Sequence, residues 1–110
     1  MGISKTNLFT EQQNEFAQLA KVLGHPARLA IIDHLLQTNS CVCGDLVDEL
    51  GLAQATISQH LRELKNLGII RGDIEGNSVC YCINSEKWQE VKNLFMDFFG
   101  RYPVNEDDCC

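Results

Sequence analysis

Residues 44–67 read GDLVDELGLAQATISQHLRELKNL, two short segments in which apolar residues recur at helical spacing. Gly51 lies between the segments, where a tight turn requires a positive φ. The apolar residues that fall on the buried side are Leu46, Leu50, Leu52, Ile57, Leu61 and Leu64. This pattern predicts a helix-turn-helix, a motif whose second helix enters the major groove of duplex DNA.

The second helix of this motif carries polar residues on its outer side. They are Gln54, Thr56, Ser58, Gln59, His60 and Arg62. Side chains of these types pair with base edges in the major groove, so we expect all of them except Arg62 to contact bases. We expect Arg62 to contact the DNA backbone, together with Asn77 in the loop between two predicted strands.

The chain has 110 residues, the size of one domain, and no segment in it approaches the roughly 20 apolar residues of a membrane span. Its first residues are too polar and too poorly basic for a signal peptide. We therefore expect a cytoplasmic protein with no membrane partner. In that compartment the six cysteines are thiols or metal ligands rather than disulfides.

The formal net charge of −6 argues against binding to DNA, which is itself an anion. Much of the acid lies away from the second helix, in residues 45–49 and 106–108, whereas Arg62, Lys65 and Arg71 lie on that helix or just after it. The local field counts for more than the net charge, so DNA remains the expected partner. A winged-helix module that binds only proteins is the alternative that the acidic charge suits.

The rest of the chain predicts a mainly α fold with a β-hairpin wing, a dimeric winged helix-turn-helix. Helices are expected at 10–23, 26–37 and from Ser85 onward, and strands at 69–74 and 78–83. Thr10 and Gln13 form a capping-box pattern, and Ser85 is the expected cap of the last helix. We expect residues 1–103 to form the DNA-binding and dimerisation domain, with the first and last helices at the dimer interface. Residues 104–110 then form a flexible acidic tail.

Three stretches carry a family resemblance: LAKVLGHPARLAIIDHLL (19–36), SCVCGDLVDELGLAQATISQHLRELKNLGII (40–70) and IEGNSVCYCIN (74–84). With the order of predicted elements, they resemble the ArsR/SmtB family of metal-responsive winged-helix repressors. The resemblance implies a homodimer that binds double-stranded operator DNA and blocks transcription of a resistance operon. It also implies release of the DNA when a toxic metal or metalloid binds, with no permanent cofactor.

Within this resemblance, Cys41-Val42-Cys43 looks like the cysteine pair of the arsenic-sensing branch. It implies As(III), Sb(III) or another thiophilic metal ion as the effector, and we expect the pair at the start of the first helix of the motif. Counted back from Leu50, the family's three cysteines fall on Val42, Gly44 and Val47. The pair is thus displaced by one residue, and the third cysteine has no counterpart.

Two thiols are too few for As(III), which favours three, or for structural zinc, which takes four ligands. Cys109 and Cys110, at the end of the acidic tail, are the expected additional metal ligands. Cys80 and Cys82 are another source, but we expect these two, which share one face of a strand, to pack as small apolar residues.

Two other functions suit the cysteines. A thiol-redox-sensing regulator would close a disulfide between two thiols. A small thiol-dependent enzyme, such as an arsenate reductase, would use one cysteine as nucleophile and another to resolve the intermediate. Because neither a phosphate-cradling glycine loop nor a base for a cysteine can be identified, we expect a regulator and not an enzyme.

Overall fold

The structure is a computed structural model that describes residues 8–38, 41–43, 50–73 and 80–103. In chain order its elements are α1 (Glu11–Leu23), α2 (Pro26–Thr38), β1 (Val42–Cys43), α3 (Gln54–Leu67), β2 (Ile70–Asp73), β3 (Cys80–Ile83) and α4 (Ser85–Gly100). The three strands form an antiparallel sheet in the order β1-β3-β2. The mainly α class with a hairpin wing is confirmed, and β1 is a strand that the sequence pattern did not predict.

The starts of α1 and α2 follow from local chemistry. Thr10 caps α1 by a reciprocal pair of hydrogen bonds: its hydroxyl accepts from the Gln13 N–H at 3.0 Å, and its own N–H donates to Gln13 Oε1 at 3.0 Å. This capping box is the predicted one. Pro26 occupies the first position of α2, where its missing N–H costs no helical hydrogen bond. Just before it, His25 Nδ1 accepts from the Ala27 N–H at 3.1 Å.

Two glycines lie on either side of α3. Gly51 has a φ of 70°, which confirms the predicted turn before this helix, and Gly68 ends the helix with a φ of 90°. Both are left-handed conformations that glycine adopts without steric cost. The helix expected before Gly51 falls mostly outside the described residues, which resume at Leu50.

A single apolar core joins the helices to the sheet. Its buried members come from the helices α1 to α4, from β2 and the residue before it, and from β3: Leu19, Val22, Ile31, Ile32, Leu35, Ile57, Leu61, Leu64, Ile69, Ile70, Tyr81 and Val91. Because Tyr81 at the centre of β3 faces this core, its neighbours Cys80 and Cys82 face the opposite side of the sheet. The wing is thereby fixed to the body on one face and presents the cysteines on the other.

The start of α4 differs from the expectation by one residue. Asn84, not Ser85, is the N-cap, and its side-chain oxygen accepts from the Lys87 N–H at 3.3 Å. Ser85 is instead the first helical residue. The Asn84 N–H also donates to the Ile69 carbonyl at 2.9 Å, which links the start of α4 to the residue before β2.

Gly72 in β2 allows that strand to lie against β3. Its φ is 126°, and a Cβ built there would lie 2.8 Å from the Tyr81 Cα and would overlap the Cys80 carbonyl oxygen. Any other residue would force the two strands apart at this point. In the described part of the chain, no helix is both long enough and apolar enough to cross a membrane.

Candidate functional site

The outer side of α3 presents the polar residues expected to contact DNA. Gln54, Thr56, Gln59 and Arg62 are exposed, and Ser58 is half-buried. Three of them form hydrogen bonds along the helix: Gln54 Nε2 donates to Ser58 Oγ at 3.3 Å, and Gln59 Nε2 donates to Glu63 Oε1 at 3.3 Å. The N-cap, Ala53, offers no side-chain cap, so the first N–H groups of α3 are available to a ligand such as a DNA phosphate.

His60 departs from this set, because its side chain points inward. It is 6% exposed, its Nδ1 accepts from Arg28 Nε at 3.1 Å, and its ring lies 4.4 Å from that of His25. The expectation of a base contact from His60 is therefore withdrawn. Burial, and then the charges of His25 and Arg28, lower the pKa of His60, while Glu63 opposes them. Its role is to join α3 to the start of α2.

Four cysteines meet on one face of the sheet. The pairing of β1 with β3 sets Val42 opposite Tyr81 and Cys43 opposite Cys80. Cys43 and Cys80 are joined by a disulfide. One step along the same register, Cys41 comes opposite Cys82, and both are free thiols. We refer to these two cross-strand pairs, Cys41 with Cys82 and Cys43 with Cys80, as the thiol ladder.

The free thiol pair of this ladder is linked by a hydrogen bond. That bond is the main reason why the pKa of the Cys41 thiol lies above its ordinary value, and burial adds to the increase. Arg71 on β2 lies directly opposite Cys82, and its guanidinium acts in the other direction. The hydrogen bond to Cys82 therefore raises the pKa of Cys41, and the positive charge of Arg71 partly offsets the increase.

The structure corrects three expectations about these cysteines. The first is that all of them are thiols or metal ligands, since Cys43 and Cys80 form a disulfide. Cys41 and Cys43 do not begin a helix: Cys43 lies in β1, and Cys41 directly precedes that strand. Cys80 is not simply packed as a small apolar residue, because it is bonded to Cys43. The sequence did hold a signal for this arrangement, since CVC at 41–43 and CYC at 80–82 share a two-residue spacing that places both pairs on one face when the strands align.

Three predicted site residues, Asn77, Cys109 and Cys110, lie outside the described residues. Within the described ranges, no group of three or more His, Cys, Asp or Glu side chains is arranged to hold a metal ion. The four cysteines form pairs, with Cys43 and Cys80 consumed by their disulfide. In this form residues 8–38, 41–43, 50–73 and 80–103 together offer an effector two free thiols.

An apolar surface covers one side of α1 and α4. Phe16 of α1 stacks on Phe95 of α4, with ring centroids 4.3 Å apart, and contacts Phe98 at 4.7 Å. Beyond this contact Phe99 is 67% exposed and Met96 is 62% exposed. We call the exposed pair Phe98 and Phe99, whose ring centroids lie 5.4 Å apart beside Phe16, the apolar face.

Comparison with known proteins bears on the same segments. Residues 25–71 match a family model described as "Bacterial regulatory protein, arsR family". The chain is 38% identical over 85 residues to an uncharacterised HTH-type transcriptional regulator, MJ1325, of Methanocaldococcus jannaschii, covering 76% of this chain and 94% of that protein. It is 39% identical over 64 residues to the HTH-type transcriptional repressor SmtB of Mycobacterium tuberculosis, covering 58% of this chain and 47% of that protein.

Among solved structures, the fold is similar to that of NolR from Sinorhizobium fredii. The TM-score is 0.60, and the match covers 91% of this chain and 97% of NolR. At 22% sequence identity this similarity concerns the fold alone. It agrees with the winged helix-turn-helix arrangement of α3 and the sheet.

Proposed function

The chain belongs to the arsR family of bacterial regulatory proteins, and from this premise we propose that it is a homodimeric repressor released from operator DNA by a thiophilic metal(loid). The family consists of DNA-binding transcription regulators and not of enzymes. This excludes the thiol-dependent enzyme among the alternatives. The effector, the operator and the dimer are the parts that we propose.

The exposed face of α3 supports the DNA-binding part of the proposal. Gln59 and Arg62 lie one turn apart on the outer side of the helix, opposite the buried Ile57 and Leu61. A glutamine and an arginine in this position match base and phosphate recognition, respectively. The start of α3, with its uncapped N–H groups, suits a second phosphate contact.

The thiol ladder is the observation that carries the effector part of the proposal. Soft centres such as As(III) and Sb(III) prefer thiolates, and β1 and β3 bring cysteines from two distant parts of the sequence together. The thiol ladder joins β1, which precedes the helix-turn-helix in the chain, to β3 of the wing. An effector bound there would pull on both parts, and two α3 helices in a dimer must keep a fixed spacing to bind one operator.

Oxidation is a second candidate signal, favoured by the Cys43–Cys80 disulfide. Two thiols and one peroxide would give this disulfide and two waters, so that the two cysteines lose two electrons and two protons. The disulfide would then tie β1 to β3. Mass spectrometry of protein exposed separately to hydrogen peroxide and to arsenite distinguishes the signals, because oxidation removes two hydrogens whereas arsenite adds an arsenic atom.

The test of operator binding uses DNA from the region upstream of the protein's own gene. Purified protein should shift this fragment at concentrations that leave a random fragment of equal length unbound, and the difference should persist in physiological salt. Equal binding of both fragments, or of neither, would remove the repressor proposal. Neither result would depend on which effector is correct.

A further inference from the structure

A cavity of about 320 Å³ opens beside the free thiol pair of the ladder. Its lining includes Leu35, Leu36, Cys41, Arg71, Cys82 and Trp88. Cys41 is exposed, Cys82 is partly buried, and the remaining wall is mainly apolar. The cavity therefore combines two adjacent thiols, one guanidinium and a surface that favours an apolar group.

The number of available thiols restricts the ligand. Cys43 and Cys80 are bonded to each other, which leaves Cys41 and Cys82 as the two thiols that face this space. Inorganic As(III) has three exchangeable oxygen ligands and favours three sulfurs. An arsenic(III) atom that already carries one carbon substituent has two exchangeable ligands, which equals the number of thiols that line this cavity.

We propose that Cys41 and Cys82 form a two-thiol binding site for monosubstituted trivalent arsenicals, R–As(OH)2, whose organic group lies against Leu36 and Trp88. This inference deepens the proposed function, on which it rests for its regulatory meaning. It assigns Cys82, and not Cys43, as the partner of Cys41. It also places the effector on the sheet and not on the tail.

The binding step is a ligand exchange in which nothing is oxidised or reduced. Two As–O bonds break and two As–S bonds form, to Cys41 Sγ and Cys82 Sγ. The two thiol protons and the two hydroxyl groups leave as two molecules of water.

The apolar wall gives the site its preference for an organic substituent. Leu36 is 48% exposed and Trp88 is partly buried, so an aryl or alkyl group on arsenic would remove both from water. Inorganic arsenite gains nothing from this wall. We expect the aryl compound to bind at least about tenfold more tightly than arsenite at this site.

The experiment uses phenylarsine oxide, which hydrates to R–As(OH)2, and the fluorescence of Trp88, the one tryptophan of the chain. Full-length protein carrying Cys109→Ser/Cys110→Ser keeps the tail thiols from competing. One equivalent of phenylarsine oxide should change the fluorescence of this protein. Cys41→Ser or Cys82→Ser, added to that background, should weaken binding by about 100-fold or more, because each removes the chelating partner.

The matched control is Cys43→Ser/Cys80→Ser in the same background, which should bind as tightly as its parent. If this control does not fold, alkylation of the parent protein replaces it: bound phenylarsine oxide should protect Cys41 and Cys82 from iodoacetamide. Undiminished binding by Cys41→Ser and Cys82→Ser would overturn the site. Arsenite binding as tightly as phenylarsine oxide would overturn the ligand class.

These binding measurements contain no DNA, so a negative result rejects the two-thiol site without testing whether the protein binds an operator. Binding at Cys41 and Cys82 without any effect on an operator complex would leave the site standing and reject its regulatory role. Release of DNA by arsenite with no binding of phenylarsine oxide would reject the two-thiol site and leave the proposed function standing.

Discussion

His60 was expected to contact DNA, but in the structure it packs inside the protein and binds Arg28. The hydrophilic character of His60 and its place on α3 suggested a base contact, but it lies on the same side of the helix as Ile57, Leu61 and Leu64. Arg28 Nε donates to its ring, and a second nitrogen of Arg28 donates to the Val22 carbonyl at 3.2 Å. One hydrogen-bonded set therefore joins α1, α2 and α3.

The lowered pKa of His60 predicts a pH dependence of stability. The folded protein binds a proton at His60 less readily than the unfolded chain does, so protonation favours unfolding. The free energy of unfolding should decrease as the pH falls below about 6.5, the ordinary histidine value. His60→Gln, which can still accept from Arg28 but does not titrate, should show a smaller decrease between pH 7.5 and 5.5 in urea denaturation. An identical decrease in both proteins would assign the effect to other groups.

Gln59 lies at the centre of the exposed side of α3 and is the residue on which sequence discrimination is expected to depend most. Gln59→Ala should lose about 1–3 kcal/mol of preference for operator over random DNA, because a bidentate contact to a base is removed. Arg62→Ala is the matched control and should weaken binding to both DNAs alike. A parallel loss of both affinities in Gln59→Ala, measured by fluorescence anisotropy, would make Gln59 a backbone contact.

β1 is the element that sequence reasoning missed, and its absence from the prediction has a physical cause. It has two residues, too few to show a period, and its partner is 37 residues away in the chain. Strand pairing over such a distance depends on packing that local propensity does not record. By contrast, the capping box at Thr10 and the turn at Gly51 are local, and both were predicted from the residues that form them.

Gly72 connects β2 to the strand that carries Cys80 and Cys82. Gly72→Ala combines a left-handed φ with overlap against β3, so we expect a loss of about 1–3 kcal/mol in unfolding free energy. That corresponds to a decrease of roughly 4–8 °C in Tm per kcal/mol for a small domain. Gly100→Ala is the control, since a Cβ there has no close neighbour and the position is helical. If thermal unfolding shows equal Tm values for the two variants, the close approach of β2 and β3 is not what stabilises the wing.

The packing of α1 against α4 leaves more apolar surface than a monomer of this size needs to expose. The sequence indicated this surplus through its aromatic residues, and the structure divides them: Phe16 and Phe95 stack within the subunit, while Phe99 and Met96 remain open. Contiguous exposed apolar surface is typical of a contact between proteins. Arg101, paired with Asp97, lies over the Phe98 ring at the edge of this surface. We expect a symmetric contact through the apolar face.

Phe99→Glu should therefore convert the proposed dimer into a monomer, because a carboxylate at the centre of an apolar interface loses its hydration without a partner. Phe99→Leu, which keeps the surface apolar, should remain dimeric. Because Phe99 is largely exposed, both variants should fold, which circular dichroism verifies. A dimer that persists in Phe99→Glu during analytical ultracentrifugation would move the interface to another surface.

The central claim is that thiols of this repressor receive the signal that releases DNA. It is tested by fluorescence anisotropy of labelled upstream DNA, with the Cys43–Cys80 disulfide left intact so that Cys41 and Cys82 are the free thiols of the ladder. Arsenite, and phenylarsine oxide in parallel, should release the DNA from the wild-type protein. Cys41→Ser/Cys82→Ser should bind the DNA with unchanged affinity and remain bound at the same effector concentrations. Release from this double variant at the wild-type concentration of effector would contradict the account.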